Sequence, residues 1–228
     1  VSGMVRIVRD DPLDPDPGYA ELYASLPDET DLEPWLSWCR GVAGPVLYLG
    51  IGTGRLAVPL RAAGVELVGV DAHPGMLEVL ESRLRGLEVV QARIEDLELG
   101  RRFGLVMAPS GILCTDERLA SAARHSGGLV AIELINPYWL LSDPVSGVRV
   151  RTMTRELAEI EVRYEQGFVQ LASVDLVWPD AIEAFLAGQG LELEIMTGQG
   201  LADSSSFFVL ASRSDAGAGN GSMSRHGP

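Results

Sequence analysis

Three glycines at alternate positions, Gly50, Gly52 and Gly54, follow the apolar run Val46-Leu-Tyr-Leu49, and an acid, Asp71, closes the next apolar run from Val65 to Val70. Residues of these types at this spacing hold a ligand. Glycine leaves the backbone bare, so the N–H groups of the turn can press close to a bound group. The helical pattern opening at Leu56 adds free N–H groups and a positive dipole end, which favour an anionic or carboxylate group. An ionised carboxylate accepts several hydrogen bonds and suits the paired hydroxyls of a ribose. Asp71 stands 17 positions after Gly54, near where a dinucleotide-type site places such an acid. Two structural readings stand beside these: the glycines serve turn geometry alone, or Asp71 caps the helix beginning near Pro74.

Other chemistry is sparse. The three histidines are His73, beside Asp71 at a helix start, His125 at a helix end, and His226 near the C-terminus; none has the setting of a general base. Cys39 and Cys114 match no metal or redox spacing, so no metal is expected and a reduced, cytoplasmic setting is. With 18 basic against 32 acidic residues the net charge is −14, and the arginines are scattered, which argues against nucleic acid as substrate. No apolar run approaches the roughly 20 residues that span a bilayer.

The elements that position these residues alternate. Strands are expected at 46–49, 65–70, 87–91, 103–108 and 128–135, with helices at 56–61, 74–84 and 116–124 between them. Alternation of this kind implies an α/β fold, a Rossmann-like doubly wound sheet that is mostly parallel. Ligands on such sheets bind beyond the carboxyl ends of the strands. Gly50–Arg55, Asp71, Ile94–Asp96 and Ala108–Leu113 all fall there. After Pro137 the pattern changes to period two, over 148–154, 158–164 and 168–177, a small antiparallel β insert. A helix from Pro179 to Ala187 and a terminal antiparallel hairpin (191–196 and 206–211) close the sheet. Residues 1–18 are expected as an extended leader because of the prolines within 10–17, 19–211 as the domain, with the insert over about 138–177, and 212–228 as a disordered tail. Helices are also expected over 19–26 and 31–40, the second capped by Asp31.

The run Leu47-Tyr-Leu-Gly-Ile-Gly-Thr-Gly54, followed by Gly69-Val-Asp-Ala-His-Pro-Gly-Met76, resembles the first two motifs of class I S-adenosylmethionine-dependent methyltransferases. The segments 103–115, 133–139 and the insert resemble the small-molecule branch, the amino-sugar and glycine N-methyltransferase-like group, which uses the insert as a substrate cover or dimer interface. The resemblance implies methyl transfer to N or O of a small molecule, in the manner of secondary metabolism, with S-adenosyl-L-methionine as cofactor and a homodimer as a possible assembly. Contacts to that cofactor are implied for Tyr23, Gly50, Ile51, Gly52, Gly54, Arg55, Asp71, Ala72, Met76, Ile94, Glu95, Asp96 and Ala108. Substrate contacts are implied for Tyr19, Ser110, Tyr138 and Trp139, with Tyr19 and Tyr23 on a lid. Met76 fits a core position equally, Asp96 a turn cap, and Tyr138 and Trp139 core packing.

Two positions depart from that family. Tyr48 stands where an acid usually helps hold the cofactor's amino group, and Arg93 where an acid often meets the adenine amine. These departures keep open a cofactor-binding protein without activity. A nicotinamide-dependent oxidoreductase is disfavoured by the Gly-x-Gly-x-Gly spacing and the terminal hairpin.

Overall fold

The computed structural model describes residues 5–11, 13–142, 147–198 and 204–214. Its first element is a strand, β1 (Arg6–Arg9), where only an extended leader is expected. It pairs in parallel with a segment far along the chain, Arg6 opposite Phe168 and Arg9 opposite Leu171. Helix α1 (Pro17–Ser25) starts earlier than Tyr19, because Pro17 sits in the first turn, where its missing N–H costs nothing. Asp16 caps it, accepting from Gly18 N–H at 2.8 Å. Helix α2 (Trp35–Arg40) is shorter than expected, and Asp31 is not its cap. The Asp31 carboxylate instead accepts from Glu33 N–H at 3.1 Å, closing a turn ahead of the helix.

The alternating region follows as β2 (Val46–Leu49), α3 (Ala57–Ala62), β3 (Leu67–Asp71), α4 (Pro74–Arg83), β4 (Glu88–Gln91), β5 (Phe103–Ala108), α5 (Asp116–His125) and β6 (Ser126–Ile135). Thr115 caps α5, acids fill its first turn and Arg124 and His125 its last, so charge and dipole agree. Helix α6 (Pro137–Leu141) leads to the insert strands β7 (Val148–Met153), β8 (Leu157–Arg163) and β9 (Phe168–Asp175). The helix expected from Pro179 opens as a 3-10 turn over Pro179–Ala181 and continues as α7 (Ile182–Ala187). Strands β10 (Leu191–Thr197) and β11 (Ser206–Arg213) complete the chain. Ser212 and Arg213 thus belong to a strand, not to a tail; residues 215–228, with His226, lie outside the described residues.

Seven strands form the main sheet in the order β10-β11-β6-β5-β2-β3-β4. The five from β6 to β4 are parallel, and β11 alone runs against them, antiparallel to both β6 and β10. Leu47 and Leu49 of β2 face one core with Leu119 of α5 and Leu186 of α7. Val46 and Tyr48 face the other, with Trp35 of α2 and Leu60 of α3. Burial on both faces explains why this strand reads as an unbroken apolar run. The chain winds from β2 outward through β3 and β4, then returns to lay β5 on the opposite side of β2. A crevice opens where the winding reverses, beyond the carboxyl ends of β2 and β5.

A second sheet, ordered β1-β9-β8-β7, carries the insert. It packs on α6 through Leu140, Ala158, Ile160 and Leu176, and on α1 through Val8, Tyr19 and Leu22. No helix among the described residues is long and apolar enough to cross a membrane.

Candidate active site

The turn after β2 is held open by left-handed backbone, with φ of 68° at Gly50, 57° at Gly52 and 86° at Gly54. The glycines have different reasons to lack a side chain. A Cβ on Gly54 would stand 2.6 Å from Leu80 Cδ1, and one on Gly50 would collide with Ile112 Cδ1. A Cβ on Gly52 would meet nothing within 4 Å. Gly50 and Gly54 answer to packing, while Gly52 borders empty space.

Asp71, at the end of β3, braces this turn. Its Oδ2 accepts from Gly52 N–H and its Oδ1 from His73 N–H, each at 2.8 Å. Burial pushes its carboxyl pKa up, opposed by those backbone donors. The helix-capping role falls to His73, whose Nδ1 accepts from Met76 N–H at 3.3 Å while Nε2–H donates to the Asp16 carbonyl at 3.0 Å. Asp71 therefore keeps lone pairs for a ligand, beside a turn it already holds in place.

At the reversal point lies a cavity of about 330 Å³. Of the residues expected at a site, Tyr23, Gly50, Ile51, Gly52, Arg55 and Ser110 line it. Thr53 Oγ1 donates to the Tyr23 carbonyl at 3.5 Å, tying α1 to the turn. Arg55 is engaged on its outer side, by Glu29 at 2.6 Å and the Pro27 carbonyl at 2.7 Å. Residues not anticipated join the lining: Trp35 and Phe208, which form an aromatic wall with Tyr48, and the acids Glu29, Asp31, Glu33 and Glu133. Four carboxylates against one arginine, itself paired with Glu29, leave the lining with an excess of negative charge. Glu133 is an acid inside the apolar run of β6, a signal that was visible in the sequence. Phe208 arrives only because β11 pairs with β6, opposite Glu133.

Other expected contacts do not line this cavity, among them Gly54 and Asp71, which belong to the turn beside it and its brace. Met76 is buried with Tyr19 and Leu22 in the cluster between α1 and α4, so it serves core packing. Tyr19 is 9% exposed, its ring tilted against that of Tyr23 with centroids 4.8 Å apart and its hydroxyl accepting from Gln170 Nε2 at 3.4 Å, and does not line the cavity. Tyr138 packs edge-on against Trp178 at 5.3 Å, and Trp139 joins the insert core, because Pro137 starts a helix that turns both away. Ile94 packs on the main core. Glu95 accepts from Arg118 Nε at 2.8 Å and lies 3.6 Å from Arg93, which also reaches the exposed Asp96 at 3.8 Å. Ala72 follows β3 and the fully buried Ala108 ends β5, and neither lines the cavity. His125 is structural, its Nδ1–H donating to Ser121 O at 2.8 Å and its Nε2 accepting from Leu99 N–H at 3.3 Å.

Residues 46–127 match a family model described as a methyltransferase domain. Among curated proteins, the cypemycin N-terminal methyltransferase of a Streptomyces species is 30% identical over 131 residues, 52% of this chain and 54% of that protein. The chain thus spans about half the length of that curated relative. The solved CcbJ methyltransferase of Streptomyces caelestis is 21% identical with a TM-score of 0.65, covering 86% of this chain and 96% of that one. The glycopeptide N-methyltransferase MtfA, solved with sinefungin, is 23% identical with a TM-score of 0.62, over 90% and 92% of the two chains. At such identities the likeness to solved structures establishes the fold. By sequence over residues 46–127, and by fold over most of its length, the chain is built as these methyltransferases are.

Proposed function

We propose that the chain is an S-adenosylmethionine-dependent methyltransferase acting on a small molecule, with an amine nitrogen as acceptor. The observation that carries this reading is the acid-lined cavity at the winding reversal, bounded by the open side of Gly52. The residues suit the cofactor. A bare backbone at Gly52 admits close approach, Asp71 has lone pairs for ribose hydroxyls, and the carboxylates match the positive charges of an ammonium and a sulfonium. When bound, the cofactor supplies a methyl group on a sulfonium, transferred by in-line displacement.

The chain's own contribution is positioning and charge. Tyr23 and the loop carrying Glu29, Asp31 and Glu33 wall the cavity on the α1 side, and Trp35, Tyr48 and Phe208 keep water from its floor. The cavity lining offers carboxylates but no histidine as a general base, which favours an amine, whose neutral form attacks without first losing a proton, over a phenol or alcohol. The acids at the mouth gather the amine in its abundant cationic form. The curated relative and the glycopeptide enzyme, both named as N-acting, support the same choice.

Calorimetric titration with S-adenosylmethionine, S-adenosylhomocysteine and NAD tests the cofactor, and methyl transfer to amines against phenols tests the acceptor. Binding of the first two but not NAD is expected. Asp71→Ala should weaken that binding by about 1–3 kcal/mol. Binding without transfer to any acceptor would favour the non-catalytic reading. One of that reading's two grounds is already weakened, since Arg93 finds its counter-charges in Glu95 and Asp96.

A further inference from the structure

Tyr48 occupies a position where the resembled family carries an acid, and its surroundings are unusual. It is only 5% exposed, it lines the cavity, and its hydroxyl has no hydrogen-bond partner among the described residues. The hydroxyl is not sealed in the core but borders the cavity, where it is free to bond a ligand. Burial first, and the charge of Glu133 second, push the Tyr48 phenol pKa far up, so it stays a neutral hydroxyl.

Glu133 reaches the same cavity from β6, two strands away in the sheet. One oxygen, Oε2, accepts from Ser110 N–H at 2.8 Å. Ser110 aims that N–H from a left-handed conformation, φ 67°, the sole such conformation among the described non-glycine residues. Gly111 N–H adds a bond to the Glu133 backbone carbonyl at 3.1 Å. The loop after β5 is thus shaped around this one residue. Its other oxygen, Oε1, has no hydrogen-bond partner among the described residues. Arg55, the cation of the cavity lining, is engaged by Glu29 and the Pro27 carbonyl. A fixed carboxylate, an unpartnered hydroxyl and aromatic walls without a facing cation form a socket for a compact positive group.

We propose that Glu133, with the Tyr48 hydroxyl as a second acceptor, receives the α-ammonium of the cofactor's methionine part and so replaces the acid absent at position 48. This inference rests on the methyltransferase reading above. It relocates the countercharge from β2 to β6, across the cavity, and assigns the left-handed turn at Ser110 a purpose.

The test is titration of the full chain with S-adenosylhomocysteine and with its desamino analogue, in which hydrogen replaces the α-ammonium. The wild type should prefer the former. Glu133→Gln keeps the size and the acceptor for Ser110 N–H but loses the charge. It should weaken S-adenosylhomocysteine binding about 10- to 100-fold and leave the desamino analogue unchanged. Tyr48→Phe should show the same selectivity with a loss of only a few-fold. Equal losses for both ligands in Glu133→Gln would reduce Glu133 to a brace for the Ser110 loop, and no loss for either would remove it from the site. Both results overturn the inference while leaving the methyltransferase reading standing. A wild type that binds neither ligand overturns the methyltransferase reading itself, and this inference with it.

Discussion

Gly52 and Gly54 are two positions apart in sequence and opposite in what they answer to. At Gly54 an alanine methyl would stand 2.6 Å from Leu80 Cδ1, and Leu80 is 1% exposed, so it has nowhere to retreat. Gly54→Ala should therefore cost the left-handed penalty of about 1–2 kcal/mol together with overpacking of about 1–3 kcal/mol. At Gly52 the methyl meets only open space, so Gly52→Ala should cost the conformational penalty alone, about 1–2 kcal/mol. Its methyl would stand instead in the ligand's way. Urea unfolding and calorimetry on both variants check this: Gly54→Ala should lose more stability, and Gly52→Ala should lose about tenfold or more in cofactor affinity. Unchanged affinity in Gly52→Ala would mean that the ligand lies elsewhere. The spacing of the three glycines is plain in the sequence, but their division of labour is not, because Leu80 and Ile112 come from α4 and the loop after β5. The same holds for Met76, whose helical spacing fits a core and a site equally until α1 is seen lying over it.

Elements were readable where their residues carry a period of their own. Strands β2 and β5 fall on the expected residues because both are buried on two faces and bounded by glycine or polar turns. Strand β1 is not legible because four residues, two arginines flanking Ile7 and Val8, have no pattern of their own, and their partner in β9 lies about 160 residues away. Tyr138 and Trp139 were expected at the site because they follow β6, yet Asn136 and Pro137 cap and open α6 there and direct both into contacts with the insert and Trp178. The lid expected of Tyr19 and Tyr23 changes character too. Tyr19, Ala20 and Leu22 of α1 are buried, and only Tyr23 faces the cavity. Helix α1 is thus a packed wall, and the adjoining loop that carries Glu29, Asp31 and Glu33 is the more open side. Hydrogen exchange should find α1 amides protected in the free protein, with added protection on S-adenosylhomocysteine binding concentrated in residues 26–33. A large gain across α1 itself would restore the lid.

Charge acts over the whole molecule. A chain with net charge −14 and four carboxylates on one cavity sets a field that draws cations toward the site and repels phosphates. With S-adenosylmethionine saturating, only the acceptor's encounter remains to be steered. For a cationic amine acceptor, kcat/KM should fall about tenfold as salt rises from about 0.01 M to 1 M, where the Debye length shrinks from about 30 Å to about 3 Å. A neutral acceptor of similar size should change little, and a phosphorylated one should gain with salt. The same carboxylates hold the bound amine in its ammonium form, which has no lone pair to attack with. At fixed salt kcat should therefore rise with pH until the bound amine loses its proton, and then level off. Measured together, the two profiles separate steering from chemistry: salt moves the encounter, and pH moves the fraction of amine able to accept a methyl group. Salt-independent turnover of a cationic amine would show that these acids are spent on the cofactor's own charges and that the acceptor enters from another side.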